Sequence, residues 1–318
     1  MHNHWIPALV AGLAISTGTA TAQVAPTVLP LPEAAAYPEG VTVDPASGAI
    51  YTNSANTGVV VRLDPDSGAA VVVGDPLDMA AETRPEKPMS VALGLKADGE
   101  GRLWVAGART GSMHVVDIAT GRRLTRFTTP EGPSLINDVA LTSEAAYFTD
   151  TLRPVLWRVS RDAIADAALE PWLSFEGTAL RYGEEPNLNG IAATADGRYL
   201  IVIQMKAGRL FRIDTRTREV SAIDTGDAAL DGGDGLALDG QRLYLVRQWA
   251  EEVVALDLSP DFATATEVKR ISPPELAWPA TAAIRGDRLI VANSQLNRRD
   301  AGDPEPFSLV SIPLSAFD

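Results

Sequence analysis

NGIAATADGRYLIVI, residues 189–203, is the stretch from which the fold can be read. Asn189 to Ala193 reads as a short strand, and Ala195-Asp196-Gly197 supplies the backbone freedom of a tight turn. Tyr199 to Ile203 is a run of aromatic and β-branched residues suited to a second, buried strand. The same strand, turn and strand recur as EGVTVDPASGAIYTNS from Glu39, LGLKADGEGRLWVAG from Leu93 and NDVALTSEAAYFTD from Asn137. DGLALDGQRLYLVRQ from Asp234 and PATAAIRGDRLIVANS from Pro279 complete a set of six. The spacing is roughly 45 to 54 residues, which suits a repeated unit of several strands.

A third strand with its own turn follows several of these hairpins. The segments are GVVVRLDPDSG from Gly58, GSMHVVDIATG from Gly111, GRLFRIDTRTR from Gly208 and EEVVALDLSPD from Glu251. A four-stranded unit repeated six times predicts an all-β chain, a six-bladed β-propeller with four-stranded blades. Ring closure must remove the free edges. FSLVSIPL from Phe307 and PTVLPLP from Pro26 are expected to meet in one blade, joining the N- and C-terminal strands. Arg161 to Glu170 is the one stretch that suggests a short helix, and it falls where the third blade needs a connection.

Ile6 to Ile15 is an apolar run followed by Ala20-Thr21-Ala22, an A-x-A cleavage pattern. Residues 1–22 are therefore expected to be a secretory signal peptide and residues 23–318 a single propeller domain. The run is too short to span a bilayer, and no later stretch is apolar for long enough. The expectation is an exported protein, periplasmic or secreted, with no membrane span in the mature chain. The absence of cysteine excludes thiolate nucleophiles, thiolate zinc sites and iron–sulfur clusters. Two of the three histidines fall in residues 1–22, so residues 23–318 hold only His114, expected in a third strand in a packing role. A formal net charge of −14 argues against nucleic acid as a partner but says little about substrate; the expected small-molecule substrate rests on the candidate site residues.

Aligning the six hairpins brings Glu39, Leu93, Asn137, Asn189, Asp234 and Pro279 or Ala280 into one register at the start of the inner strand. In a closed ring these positions surround one mouth of the channel. Two carboxylates and two carboxamides, Glu39, Asn137, Asn189 and Asp234, are expected to converge there, either as a hydrogen-bonded plug or as a metal site. Four oxygen donors with two negative charges suit a hard cation. Ca2+ is the expected ion, one at the channel mouth, and other divalent ions are compatible with the same donors.

Turns between second and third strands open on the same face. They bring Asn53, Asn56, Arg109, Asp150, Arg153, Gln204, Lys206, Arg247, Gln248, Trp249, Asn293 and Gln295 toward the rim. Longer connections at 75–90, 128–136 and 174–188 feed it as well, and the last, with Phe175, Arg181 and Tyr182, reads as a partial lid. Arg109, Arg153, Arg181, Tyr182, Lys206, Arg247, Trp249 and Asn293 are the candidate substrate contacts.

At its four ring residues the chain resembles the superfamily of gluconolactonase, senescence marker protein and luciferin-regenerating enzyme, to which diisopropyl fluorophosphatase and paraoxonase are related. The Glu-Gly motif is matched by Glu39-Gly40, Asn-Asp by Asn137-Asp138, Pro-x-x-Asn-Gly by Pro186 to Gly190, and Asp-Gly by Asp234-Gly235. The resemblance implies one catalytic calcium held by these four side chains, with Asp234 as general base or nucleophile in lactone or small-ester hydrolysis. Phosphotriester hydrolysis, an isomerisation at the same ion and a binding propeller with a structural calcium are the alternatives. The channel histidines of paraoxonase have no counterpart here, nor does the catalytic Glu of strictosidine synthase.

Overall fold

The computed structural model describes residues 1–2, 25–74, 90–162, 164 and 167–318. Residues 3–22 of the segment expected to be a signal peptide and most of the 75–90 connection lie outside the described residues. The remainder forms six antiparallel four-stranded sheets. The outer closing strand is β1 (Thr27–Pro30), and blade one follows with β2 (Pro38–Val43), β3 (Ile50–Ser54), β4 (Val60–Leu63) and β5 (Ala70–Val73). Blade two is β6 (Leu95–Ala97), β7 (Arg102–Ala106), β8 (Ser112–Asp117) and β9 (Arg123–Thr128). Blade three is β10 (Ile136–Leu141), β11 (Ala145–Asp150), β12 (Val155–Ser160) and β13 (Leu169–Ser174). Blade four is β14 (Leu188–Ala193), β15 (Tyr199–Gln204), β16 (Arg209–Asp214) and β17 (Val220–Ala222). Blade five is β18 (Gly233–Asp239), β19 (Arg242–Arg247), β20 (Glu252–Leu258) and β21 (Ala265–Ile271). Blade six is β22 (Pro279–Arg285), β23 (Arg288–Asn293) and β24 (Ser308–Pro313), completed by β1.

Each predicted hairpin is thus the inner pair of one blade. The ring closes as expected, with Thr27 to Pro30 antiparallel to Ser308 to Ser311. The stretch that suggested a helix ends inside β13, the outer strand of blade three. No helix among the described residues is long and apolar enough to cross a membrane.

The core is divided among the blade interfaces. Tyr147, Leu156 and Trp172 of blade three pack with Leu188, Leu200 and Phe211 of blade four. Val41, Ile50 and Leu63 of blade one meet Ala283, Ile290 and Leu309 of blade six across the closure. Comparable clusters fill the other four interfaces. The second strands carry this core because both of their faces are buried, which is why they read as continuous apolar runs.

Inner strands share one irregularity that positions the site. In five blades the first strand carries a bulge at its start, where two residues oppose one on the second strand. The two residues are Glu39-Gly40, Asn137-Asp138, Asn189-Gly190, Asp234-Gly235 and Ala280-Thr281. Blade two, whose inner strand is the short β6, has a regular register instead. Neighbouring inner strands come very close at the second bulge position. A Cβ on Gly40 would collide with Leu95 and the Leu93 carbonyl, one on Gly190 with the Asp234 carbonyl, and one on Gly235 with Thr281.

Blade three is the exception, with Asp138 where the others have glycine or threonine. Its Oδ1 accepts the Val139 N–H at 2.8 Å and its Oδ2 the Ile191 N–H at 3.2 Å, so it ties blade three to blade four. Gly94 of blade two leaves the space that Asp138 fills.

Gly235→Ala is expected to destabilise the protein by ~1–3 kcal/mol through overpacking at this junction. Gly240→Ala, at a β-turn with open space around it but a positive φ of 58°, tests the contribution of backbone strain alone. Chemical denaturation of both variants checks this. An unchanged midpoint for Gly235→Ala would show that the inner strands can separate without cost.

Candidate functional site

The bulges turn the first residue of each pair toward the axis, and four of those residues share one cavity. Glu39, Asn137, Asn189 and Asp234 all line a space of about 710 Å³ at one end of the channel. They are only 5%, 6%, 6% and 3% exposed, so two carboxylates are held nearly out of water. Ser90, Leu93, Arg109, Leu135, Thr151, Pro186, Met205, Gln248, Trp249, Leu296 and Arg299 complete the wall. Among the described residues, no histidine and no sulfur other than the Met205 thioether lines it.

Each ring residue is oriented by its surroundings. Gln248 Nε2 donates to Asp234 Oδ2 at 2.6 Å, and Asn189 Nδ2 donates to the Met205 thioether at 3.2 Å. Asn137 Nδ2 donates to Thr151 Oγ1 at 3.0 Å, and that hydroxyl donates to the Leu188 carbonyl at 2.6 Å. The carboxamide oxygen of Asn137 is thereby left without a partner, and so is Glu39 Oε2. Two buried acceptors without protein donors are costly unless a water, a ligand donor or a cation satisfies them. Asn53, opposite the first bulge, accepts the Gly40 N–H at 3.0 Å and donates to the Leu93 carbonyl at 2.6 Å, stitching blade one to blade two.

Charge makes the same demand. Burial, then the nearby Asp234 and Asp138, push the Glu39 carboxyl well above its ordinary range, with Lys96 as the opposing charge. Asp234 is raised by burial and by Asp138. Lys96 belongs to the far end of the channel, where it lines a smaller cavity of about 280 Å³ walled largely by the inner strands' alanines.

Among the described residues, no three His, Cys, Asp or Glu side chains form a group that could hold a metal ion. A cation here would draw on carboxamide, backbone or water oxygen as well as carboxylate. The ring fits a hard divalent ion on those terms: two negative charges, four oxygen-bearing side chains and two unpartnered acceptors. It does not offer the imidazole or thiolate groups favoured by zinc, copper or iron.

Of the expected substrate contacts, Arg109 and Trp249 line the cavity. Trp249 is 41% exposed and lies against Gly232, where a Cβ would strike its ring. The other six are not in the wall. Arg153 donates to the Pro133 and Pro130 carbonyls at 2.7 and 2.8 Å, pinning the 128–136 connection. Arg247 is paired with Asp231 at 2.8 Å and with Glu252, and Lys206 with Glu184 at 2.7 Å.

Asn293 is buried, accepting the Ala277 N–H and donating to the Glu275 carbonyl. The Tyr182 hydroxyl donates to the Asp150 carbonyl at 2.5 Å, and its ring stacks on the buried Phe175. The connection read as a lid is thus anchored on the core between blades three and four. The Arg181 carbonyl accepts from Gln204 at 2.9 Å, and its side chain is not in the wall. His114 is buried in β8, where burial pushes its imidazole down to about 3, consistent with the expected packing role. Arg299, Met205, Leu296 and Thr151 were not among the expected contacts.

Neither a protein-family model nor a curated protein matches the sequence. Solved structures do match. The major allergen Mala s 1 of Malassezia sympodialis is 14% identical with a TM-score of 0.66, covering 91% of this chain and 96% of its own. A gluconolactonase from Xanthomonas campestris is 15% identical with a TM-score of 0.61, covering 91% and 88%. Virginiamycin B lyase from Staphylococcus aureus is 15% identical with a TM-score of 0.58, covering 91% and 99%. The likeness is one of fold.

A pH dependence follows from the two raised carboxyls. The folded chain, free of cations, keeps protons on Glu39 and Asp234 that the unfolded chain releases near 4.5 and 3.8. Stability from these groups is therefore present below those values and lost as pH rises through the raised folded ones. In chelator, the melting temperature is expected to fall as pH rises above the unfolded values of 4.5 and 3.8, and calcium should flatten that decline. Thermal melts across that rise in pH check it. A slope that calcium leaves unchanged would separate the carboxyls from any cation.

Proposed function

We propose that the protein is a calcium-dependent hydrolase of a lactone or related small ester, acting at the ring of Glu39, Asn137, Asn189 and Asp234. The observation that carries this reading is the convergence of two buried carboxylates and two carboxamides, with unpartnered oxygens on Glu39 and Asn137, in one cavity of small-molecule size. The fold shared with a solved gluconolactonase supports it.

Glu39, Asn137, Asn189 and Asp234 would hold the ion. A bound calcium supplies Lewis-acid polarisation of an ester carbonyl and offsets the two buried negative charges. Asp234, fixed through its Gln248 hydrogen bond, accepts the proton of a water that attacks the acyl carbon. As the ring C–O bond breaks, the same carboxyl returns the proton to the departing alkoxide, giving a hydroxy acid. Burial raises the proton affinity of Asp234 and a nearby cation lowers it, and the balance sets how good a base it is at neutral pH. Leu93, Leu135, Met205 and Trp249 provide apolar surface for the carbon skeleton and limit the access of competing water.

A panel of small lactones and esters, assayed with calcium and after chelation, tests the proposal. Turnover is expected only with the ion and should fall by ~10²-fold or more in Asp234→Asn, with folding retained. Turnover that survives chelation or the substitution would contradict it. Calcium binding without turnover of any member would favour a binding propeller.

A further inference from the structure

Two guanidinium groups face the cavity, and among the described residues neither meets an acid. Arg299, in the connection between β23 and β24, donates from Nη1 to Ser90 Oγ at 2.9 Å and reaches Asn56 Oδ1 at 3.4 Å, both neutral acceptors. Its Nε is buried without a partner. Arg109, in the turn between β7 and β8, is exposed and has no hydrogen-bond or ion-pair partner among the described residues. Their neighbours differ: Arg298 is paired with Glu305 at 2.7 Å, and Arg247 with Asp231 and Glu252. Two arginines lining one cavity without an acidic partner among the described residues are a selective arrangement in so acidic a chain.

Among the described residues, neither arginine forms an ion pair or hydrogen bond with Glu39 or Asp234. The cavity therefore holds two separated kinds of charge, carboxylates at the bulges and guanidinium groups elsewhere in the wall.

We propose that Arg299 and Arg109 recognise an anionic group of the substrate, which makes the substrate class a small lactone or ester bearing a carboxylate remote from the reacting carbonyl. The proposal rests on the reading of this cavity as the substrate site. A planar guanidinium presents its donors in a fork that matches carboxylate geometry, which suits both arginines of the wall to an anionic group. With calcium offsetting the ring's two carboxylates, the arginines remain as the wall's cationic donors for a carboxylate tail. A substrate with both an electrophilic and an anionic end is thereby oriented, with the carbonyl toward Asp234 and the tail toward Arg299.

The test is equilibrium binding, because it needs no turnover. The lactam 5-oxoproline and its neutral amide, which resist hydrolysis, are titrated calorimetrically into the calcium-loaded full chain, into Arg299→Gln, Arg299→Lys and Arg109→Gln. The acid is expected to bind about tenfold tighter than the amide. That preference should shrink to about twofold or less in Arg299→Gln, recover in part in Arg299→Lys and weaken in Arg109→Gln. Amide affinity should stay nearly constant throughout, which a general loss of structure would not give. Arg109→Gln, at an exposed position, keeps the test decisive if Arg299→Gln disturbs folding.

Equal affinity for acid and amide, no binding of the acid at millimolar concentration, or a preference untouched by both glutamine substitutions would overturn the proposal. An intact preference in a protein that hydrolyses no lactone would leave the anion site standing and remove the hydrolase reading. Hydrolysis of neutral lactones without any preference for the acid would do the reverse.

Discussion

A two-residue bulge at the start of an inner strand is the constraint on which the rest of this structure depends. In a regular strand, successive side chains would alternate between the two faces of the blade and so between two blade interfaces. The extra residue breaks that alternation and sends one side chain along the axis instead. It does so in five blades, and in four of them the redirected residue carries oxygen. The second residue of the pair must then fit against the next inner strand, which is why glycine follows Glu39, Asn189 and Asp234. Site and ring closure are therefore one feature: the close approach that narrows the channel also brings the four side chains together.

The electrostatic consequence is a cluster of buried carboxyls whose charged forms are disfavoured by burial and by one another. Asp138 adds a third buried carboxylate, but its two oxygens are engaged by the backbone of blades three and four. Glu39 and Asp234 are less fully satisfied, and Lys96 lies at the other end of the channel. A fold that keeps such groups unpaired forgoes stability at the site, which is characteristic of positions held for binding or chemistry. Apolar interfaces between all six blades provide the rigidity that can sustain the arrangement.

Much of this is legible in the sequence because a closed repeat converts register into position. The six hairpins, the closing strand near Pro26 and the shared height of Glu39, Asn137, Asn189 and Asp234 all follow from aligning one repeat with the next. The glycines after three of those residues were the visible trace of the bulge. The rim was far less legible. Residue type announces charge, but not whether a loop cation meets a partner: Arg247 finds Asp231 and Glu252, Lys206 finds Glu184, and Arg153 finds two backbone carbonyls. Arg299 lies in a connection with no counterpart in the repeat, so no alignment could bring it to the cavity.

The most direct test of the ring is calorimetric titration of calcium into chelator-stripped protein and into Asp234→Asn and Asn137→Leu. One site per chain in the unmodified protein, weakened or abolished by each substitution with the fold intact, is the predicted result. Failure to bind calcium, or binding that both substitutions leave unchanged, would contradict the claim that the bulged inner strands build a cation site.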